Sequence, residues 1–328
     1  MPSLWTDLFA WAVVAVFLAG VTAEWANRRR GADVAGLARR ITAAAWIAFG
    51  GFWLVLFPHF AFTQKSYVEG ILSLAAIPAC VYAAWLLYDG RDSLFVLSRA
   101  VAVMGLVYLP FETIPAVTLF GVHLPAPRRI LIEVVTTQTG AAMAWLGYHP
   151  ELLRGPDGYW STYQFVTDGG HRLKFTILLA CTGLGSMAIF VGLAAAVRAP
   201  LRRKLRAVAI AVPIIWALNI VRTTFIGIAF GKQYLHVFPE QVLLLFGASD
   251  PYKVSFFLSD RVISQVLAVV ALIGVTYLVL RELPEVLTVI EDVLYMLTDE
   301  EYDLHSELDL PREPTETGHR GRSGGGGA

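Results

Sequence analysis

Seven separate apolar runs, each long enough to cross a bilayer, dominate this sequence and leave few architectures open. A helix crossing about 30 Å of hydrocarbon needs roughly 20 residues. The runs are Leu4–Ala23, Ile41–Phe60, Gly70–Tyr88, Ala100–Phe120, Leu173–Val197, Ala207–Phe230 and Val262–Leu280. In lipid every backbone amide needs an internal partner, so such runs are read as helices. Composition agrees: 56% of the residues are apolar and 16% charged, against about 45–50% and about 25% in soluble domains. The expected fold is an all-α polytopic membrane helix bundle over residues 1–285, and a soluble enzyme is excluded. Twenty-six basic residues balance twenty-six acidic ones, which excludes a nucleic-acid binder, whose partner demands a basic excess. The two cysteines lie inside apolar runs, so there is no disulfide framework. No basic segment precedes the first run, which argues against a cleavable signal.

An eighth candidate, Ile130–Tyr148, is more polar and contains Glu133 and the run Thr136, Thr137, Gln138, Thr139. It is read as a re-entrant segment or an eighth helix, since polar backbone at depth survives only under protein cover. With seven spans and an outside N-terminus, the inside collects Arg28–Arg30, Arg39, Arg40, Arg91, Arg99, the cluster Arg198–Arg206 and Arg281. The outside holds roughly half as many basic residues, as the positive-inside rule requires. Residues 286–328 are expected to form an acidic, disordered cytoplasmic tail. No metal or cofactor is expected.

Ionisable groups within spans cost about 2.5–3.5 kcal/mol each and are candidate functional residues by default. Here they are Glu112, Arg222, Arg261 at a span entry and Glu133, joined by the thiols Cys80 and Cys181. At about 1.5 Å of rise per residue, Cys181 and Arg222 fall roughly 10–12 Å below the outer boundary. Glu112 reaches a similar depth, and Arg261 lies at the mouth of the last span. A polar chamber facing outward is implied. Depth alone does not separate Cys181 from Cys80, since a lone membrane cysteine is commonly a packing residue. Local sequence does better: Thr182, Gly183, Gly185 and Ser186 follow Cys181 and permit close approach of another chain. A thiolate also needs a nearby cation, and Arg222 has the matching depth. Asn219 shares a helical face with Arg222.

Three blocks carry a resemblance: Ala180-Cys181-Thr182-Gly183-Leu184-Gly185, Asn219-Ile220-Val221-Arg222-Thr223 and Ser259-Asp260-Arg261. In order, spacing and placement on late spans they resemble the exosortase/archaeosortase family, over about residues 1–285. The resemblance implies a membrane-embedded cysteine transpeptidase. Its substrates would be exported surface proteins with a C-terminal sorting signal: a Pro-Gly-Phe motif, a transmembrane helix and a basic cluster. The new C-terminus would pass to a membrane lipid. By the same resemblance Cys181 is the nucleophile, Arg222 the charge stabiliser, and Arg261 stands where most members have histidine. Arginine stays charged, so it cannot shuttle protons as histidine does. His171, ten residues from Cys181, lies too far along a helix to replace it. The competing expectation is a transporter or channel whose outer-leaflet chamber is lined by Glu112, Arg222 and Arg261.

Overall fold

The computed structural model describes residues 4–30, 35–63, 67–119, 121–167 and 169–304. The first four helices, α1 (Leu4–Arg30), α2 (Ala35–Pro58), α3 (Tyr67–Asp89) and α4 (Leu94–Thr113), pack as one bundle. Its centre holds Phe17, Trp46, Cys80 and Leu87. Phe17 meets Trp46 edge to face at 5.3 Å, and the Trp46 indole donates to Ser98 Oγ at 2.9 Å. Lipid is as apolar as leucine, so these helices associate through close packing and such hydrogen bonds rather than by escape from water.

After α4 comes a short hairpin of β1 (Val117–Leu119) and β2 (Val122–Leu124), then helix α5 (Pro127–Trp145). The fourth run therefore stops being helical at Thr113, short of the expected Phe120, which itself lies outside the described residues. Pro115 has no amide hydrogen to continue the helix. Next is an antiparallel sheet in the order β3-β4-β5: β3 (Glu151–Arg154), β4 (Trp160–Val166) and β5 (Arg172–Thr176). Alternation decides its faces. Tyr163 opposite Phe175 and Phe165 opposite Leu173 point toward Met143, Ile226, Ile228 and Phe230. The polar side is self-satisfied, Thr162 bonding Thr176 at 2.9 Å and Gln164 donating to Glu151 at 2.9 Å.

The expected fifth span, Leu173–Val197, is the main correction. Its first four residues belong to β5, a 3₁₀ turn (Leu179–Thr182) follows, and only α6 (Leu184–Ala196) is an α-helix. The β-branched and aromatic residues of Arg172–Thr176 suit a strand, and Gly183, at φ 76°, breaks the helical path. Helix α7 (Leu201–Gly231) then runs from the arginine-rich end to the sheet. Beyond it, α8 (Pro239–Leu245) and α9 (Val254–Phe256) lead through a π-helical turn, Phe257–Ile263, into α10 (Ser264–Glu282). Among the described residues six helical stretches are long and apolar enough to span a membrane, the last being Pro251–Glu282, and α6 is a shorter apolar helix. The protein is a polytopic helical membrane bundle. Its last stretch begins eleven residues earlier than the expected Val262, so Arg261 lies well inside it rather than at its mouth.

At the opposite end from the sheet, α11 (Leu287–Thr298) folds back on α3 and α4. Residues 287–298, placed in the expected disordered tail, are instead a packed helix: Asp292 is buried, accepting from Arg91 Nε at 3.0 Å and Ser93 Oγ at 2.7 Å. Residues 305–328 lie outside the described residues.

Candidate active site

Cys181 sits in the 3₁₀ turn at the head of α6, partly exposed. Its amide donates to the Leu178 carbonyl at 2.9 Å. Thr182 Oγ1 donates to Leu179 O at 2.7 Å and accepts from the Leu184 amide at 3.4 Å, closing the turn onto the first turn of α6. The free amides at a helix N-terminus favour an anion, and the thiol stands just ahead of that end.

Helix α7 supplies the next two groups. Asn219, buried at 7% exposure, donates through Nδ2 to the Cys181 carbonyl at 2.8 Å and so fixes the turn against α7. One turn on, Arg222 donates through Nη2 to Asp260 Oδ1 at 2.8 Å. Arg261 Nε lies 3.5 Å from the other carboxylate oxygen, so Asp260 joins the two guanidiniums. Cys181 is within electrostatic reach of all three. Two guanidiniums and one carboxylate leave a single surplus positive charge beside the thiol. Arg222 Nε is buried without a hydrogen-bond partner among the described residues.

Local backbone explains the arrangement. Consecutive side chains on an α-helix diverge, but Asp260 and Arg261 occupy a π-helical turn, a device common at functional sites. Ser255 Oγ donates to Ala229 O at 2.6 Å and Ser259 Oγ to Ser255 O at 2.7 Å, tying this turn to the end of α7. Thr223 Oγ1 bonds Thr139 of α5 at 2.9 Å, completing the cover.

Of the residues expected from sequence, Cys181, Asn219, Arg222 and Arg261 come together. Asp260, given no role there, joins them; starting the last span at Val262 left it in a loop, although an acid between two arginines at one depth is a detectable signal. Glu112 instead has Arg128 and Asp7 as its charged neighbours. Glu133 pairs with Arg129 at 3.1 Å and accepts from the Trp160 amide at 3.3 Å, which ties α5 to the sheet. Cys80 is core packing, 3% exposed. His171 stacks on Tyr252 with ring centres 4.1 Å apart.

The family described as transmembrane exosortase matches residues 4–250. Archaeosortase A of Haloferax volcanii is 60% identical over 310 residues, covering 94% of this chain and 100% of that protein. Archaeosortase A of Natronomonas pharaonis is 43% identical over 297 residues, 88% of each chain. No solved structure matches. A polytopic helical bundle, matched over most of its length by that family and by two archaeosortases, belongs to the transmembrane exosortase family.

Proposed function

We propose that this protein is a cysteine transpeptidase that cuts C-terminal sorting signals from exported surface proteins inside the membrane. The signal would be of the Pro-Gly-Phe type, followed by a transmembrane helix and a basic cluster, and the new C-terminus would pass to a membrane lipid. The observation that carries this reading is the convergence of Cys181 with Arg222, Asp260 and Arg261 from three separate segments. The arginine-rich end faces the cytoplasm by the positive-inside rule, which directs the sheet and Cys181 outward, where an exported protein presents its membrane-proximal motif.

In the first half-reaction the Cys181 thiolate attacks the scissile carbonyl, and the C–N bond breaks to leave a thioester. The thiol proton leaves with the departing amine. Arg222, with its open Nε, stabilises the oxyanion. Arg261 shares the carboxylate of Asp260 and keeps the charge at the site fixed. In the second half-reaction a nucleophilic lipid headgroup attacks the thioester and restores the thiol.

The test compares Cys181→Ala, Cys181→Ser and Cys80→Ala by the gel mobility of a co-expressed substrate bearing the sorting signal. The first two abolish processing while the protein stays inserted, and Cys80→Ala keeps it. Normal processing by Cys181→Ala would remove the nucleophile and the reading with it. A transporter would tolerate both serine and alanine there and show solute flux in vesicles.

A further inference from the structure

The end of the bundle opposite the sheet holds a group of charges unlike its surroundings. Several arginines there have their own carboxylates: Arg203 pairs with Glu285 at 2.8 Å, Arg39 with Asp92 at 2.8 Å, Arg91 with Asp292 at 3.0 Å, and Arg206 lies 4.0 Å from Glu282. Between α1, α4 and the α6–α7 connection the balance fails. Arg28, Arg99 and Arg198 gather around one buried carboxylate, Glu24, and Lys204 lies beside Arg99 with Glu285 as its carboxylate neighbour. Arg28 and Arg198 both pair with Glu24, the latter at 3.8 Å. Arg99 donates through Nε to the Phe95 carbonyl at 3.2 Å and makes no ion pair among the described residues. Lys204 Nζ donates to Ala195 O at 3.0 Å, which holds its ammonium against the end of α6. Three arginines thus crowd Glu24, with the Lys204 ammonium against Arg99, and positive charge is in excess where like charges repel.

We infer that this cluster is a binding site for the phosphate group of an anionic lipid headgroup. A phosphodiester offers anionic acceptor oxygens where Arg99 and Lys204 hydrogen-bond only to backbone carbonyls, and arginine binds such oxygens through two donors. Apolar side chains flank the cluster: Leu201 and Leu205 are 69% and 60% exposed, and Trp25, under the guanidinium of Arg29 at 4.7 Å, is 51% exposed. Acyl chains lie along such a surface, and basic pockets between transmembrane helices are known headgroup sites. The site is remote from Cys181, at the far end of α6, and is independent of the chemistry proposed there.

The test uses the purified full-length chain in neutral detergent. Phosphatidylglycerol, phosphatidylcholine or inorganic phosphate is added, and the thermal unfolding midpoint is read. Ligand that binds only the folded state raises that midpoint, so phosphatidylglycerol raises it by several degrees and phosphatidylcholine leaves it unchanged. The rise is lost in Arg99→Gln/Lys204→Gln and kept in Arg206→Gln, whose charge Glu282 already faces. Because the double variant is compared with itself with and without lipid, a lower starting midpoint does not obscure the result. An equal rise with inorganic phosphate would assign the site to free phosphate and overturn the lipid. An equal rise with phosphatidylcholine, or a rise surviving the double variant, would overturn the site.

Discussion

Gly183 offers the sharpest test of how the proposed nucleophile, Cys181, is held. It has φ 76°, and a Cβ there would lie 3.2 Å from both Cβ and Cγ of Asn219. An L-residue in the left-handed region costs about 1–2 kcal/mol. The contact adds to this, because Asn219 has to yield and its Nδ2 bond to the Cys181 carbonyl, 2.8 Å in the parent, lengthens. Losing such a bond costs about 0.5–1.5 kcal/mol. Gly183→Ala therefore strains the turn by about 2–3 kcal/mol and shifts Cys181 relative to Arg222. Misplacement of a reacting group by about 1 Å lowers rates about 10²-fold. Gly185, two residues on, is the control: nothing lies within 4 Å of its Cβ position and its φ is not positive. Alanine there strengthens α6 by about 0.5–1 kcal/mol. The assay is the initial rate of release of the C-terminal sorting signal from a labelled substrate in proteoliposomes, with unfolding midpoints taken in parallel. Gly183→Ala loses about two orders of magnitude in rate and some stability, and Gly185→Ala loses no stability. A Gly183→Ala protein with the parent's rate and midpoint would refute the claim that this turn and Asn219 position the thiol.

Arg222→Ala lowers the processing rate about 10²–10³-fold, the usual loss for one oxyanion donor. Asp260→Asn, which leaves two guanidiniums without their shared carboxylate, couples with Arg222→Ala in a double-mutant cycle by at least about 0.5 kcal/mol; strict additivity would deny the contact an energetic role. Arg261→Lys keeps partial activity, whereas Arg261→His acquires a rate transition near pH ~6.5, and a pH profile identical to the parent's would show that position 261 does not face the reaction. At the other end, the bidentate bond from Arg39 holds the Asp92 carboxyl below the usual carboxylate range. The stability this gives is present above the unfolded value near ~3.9 and is lost as pH falls through the folded one. Being half exposed, the pair contributes less than about 1 kcal/mol, so Asp92→Asn lowers the midpoint slightly at pH 7 and not at all once the carboxyl is protonated. A difference that persists to the lowest pH would contradict this.

The continuous helices were legible because their signal is one-dimensional. Runs such as Leu4–Ala23 and Ala207–Phe230 must satisfy their amides locally in lipid, so length and hydropathy suffice. Both fall within stretches long and apolar enough to span. What hydropathy does not register is where backbone hydrogen bonds go. Leu173–Val197 reads as one apolar run, yet its first residues bond sideways to β4, Phe175 opposite Tyr163. The aromatic alternation of Tyr163, Phe165, Leu173 and Phe175 was the available sign of strands, but only a partner surface on α7 makes it favourable. The tail misled in a related way. Its acids imply solvation by composition, but Asp292 is an acid with waiting partners, Arg91 and Ser93, about two hundred residues earlier in the chain.

The site lies where the regular spans are interrupted, and this follows from what the chemistry asks of the backbone. A continuous helix consumes its amides within itself and spreads consecutive side chains around its axis. A nucleophile that needs free donors nearby, and an acid and an arginine that need to act on one point, both require that pattern to be broken. The chain breaks it twice: a 3₁₀ turn with a left-handed glycine at Cys181, and a π turn at Asp260 and Arg261. Irregular backbone at membrane depth is stable only under protein cover. The cover comes from α5, through Thr139, and from the sheet, whose aromatics pack on α7 beside Cys181. Helix α5 and the sheet, the two elements that hydropathy accounts for least, are therefore the parts that cover the place where Cys181 meets two arginines.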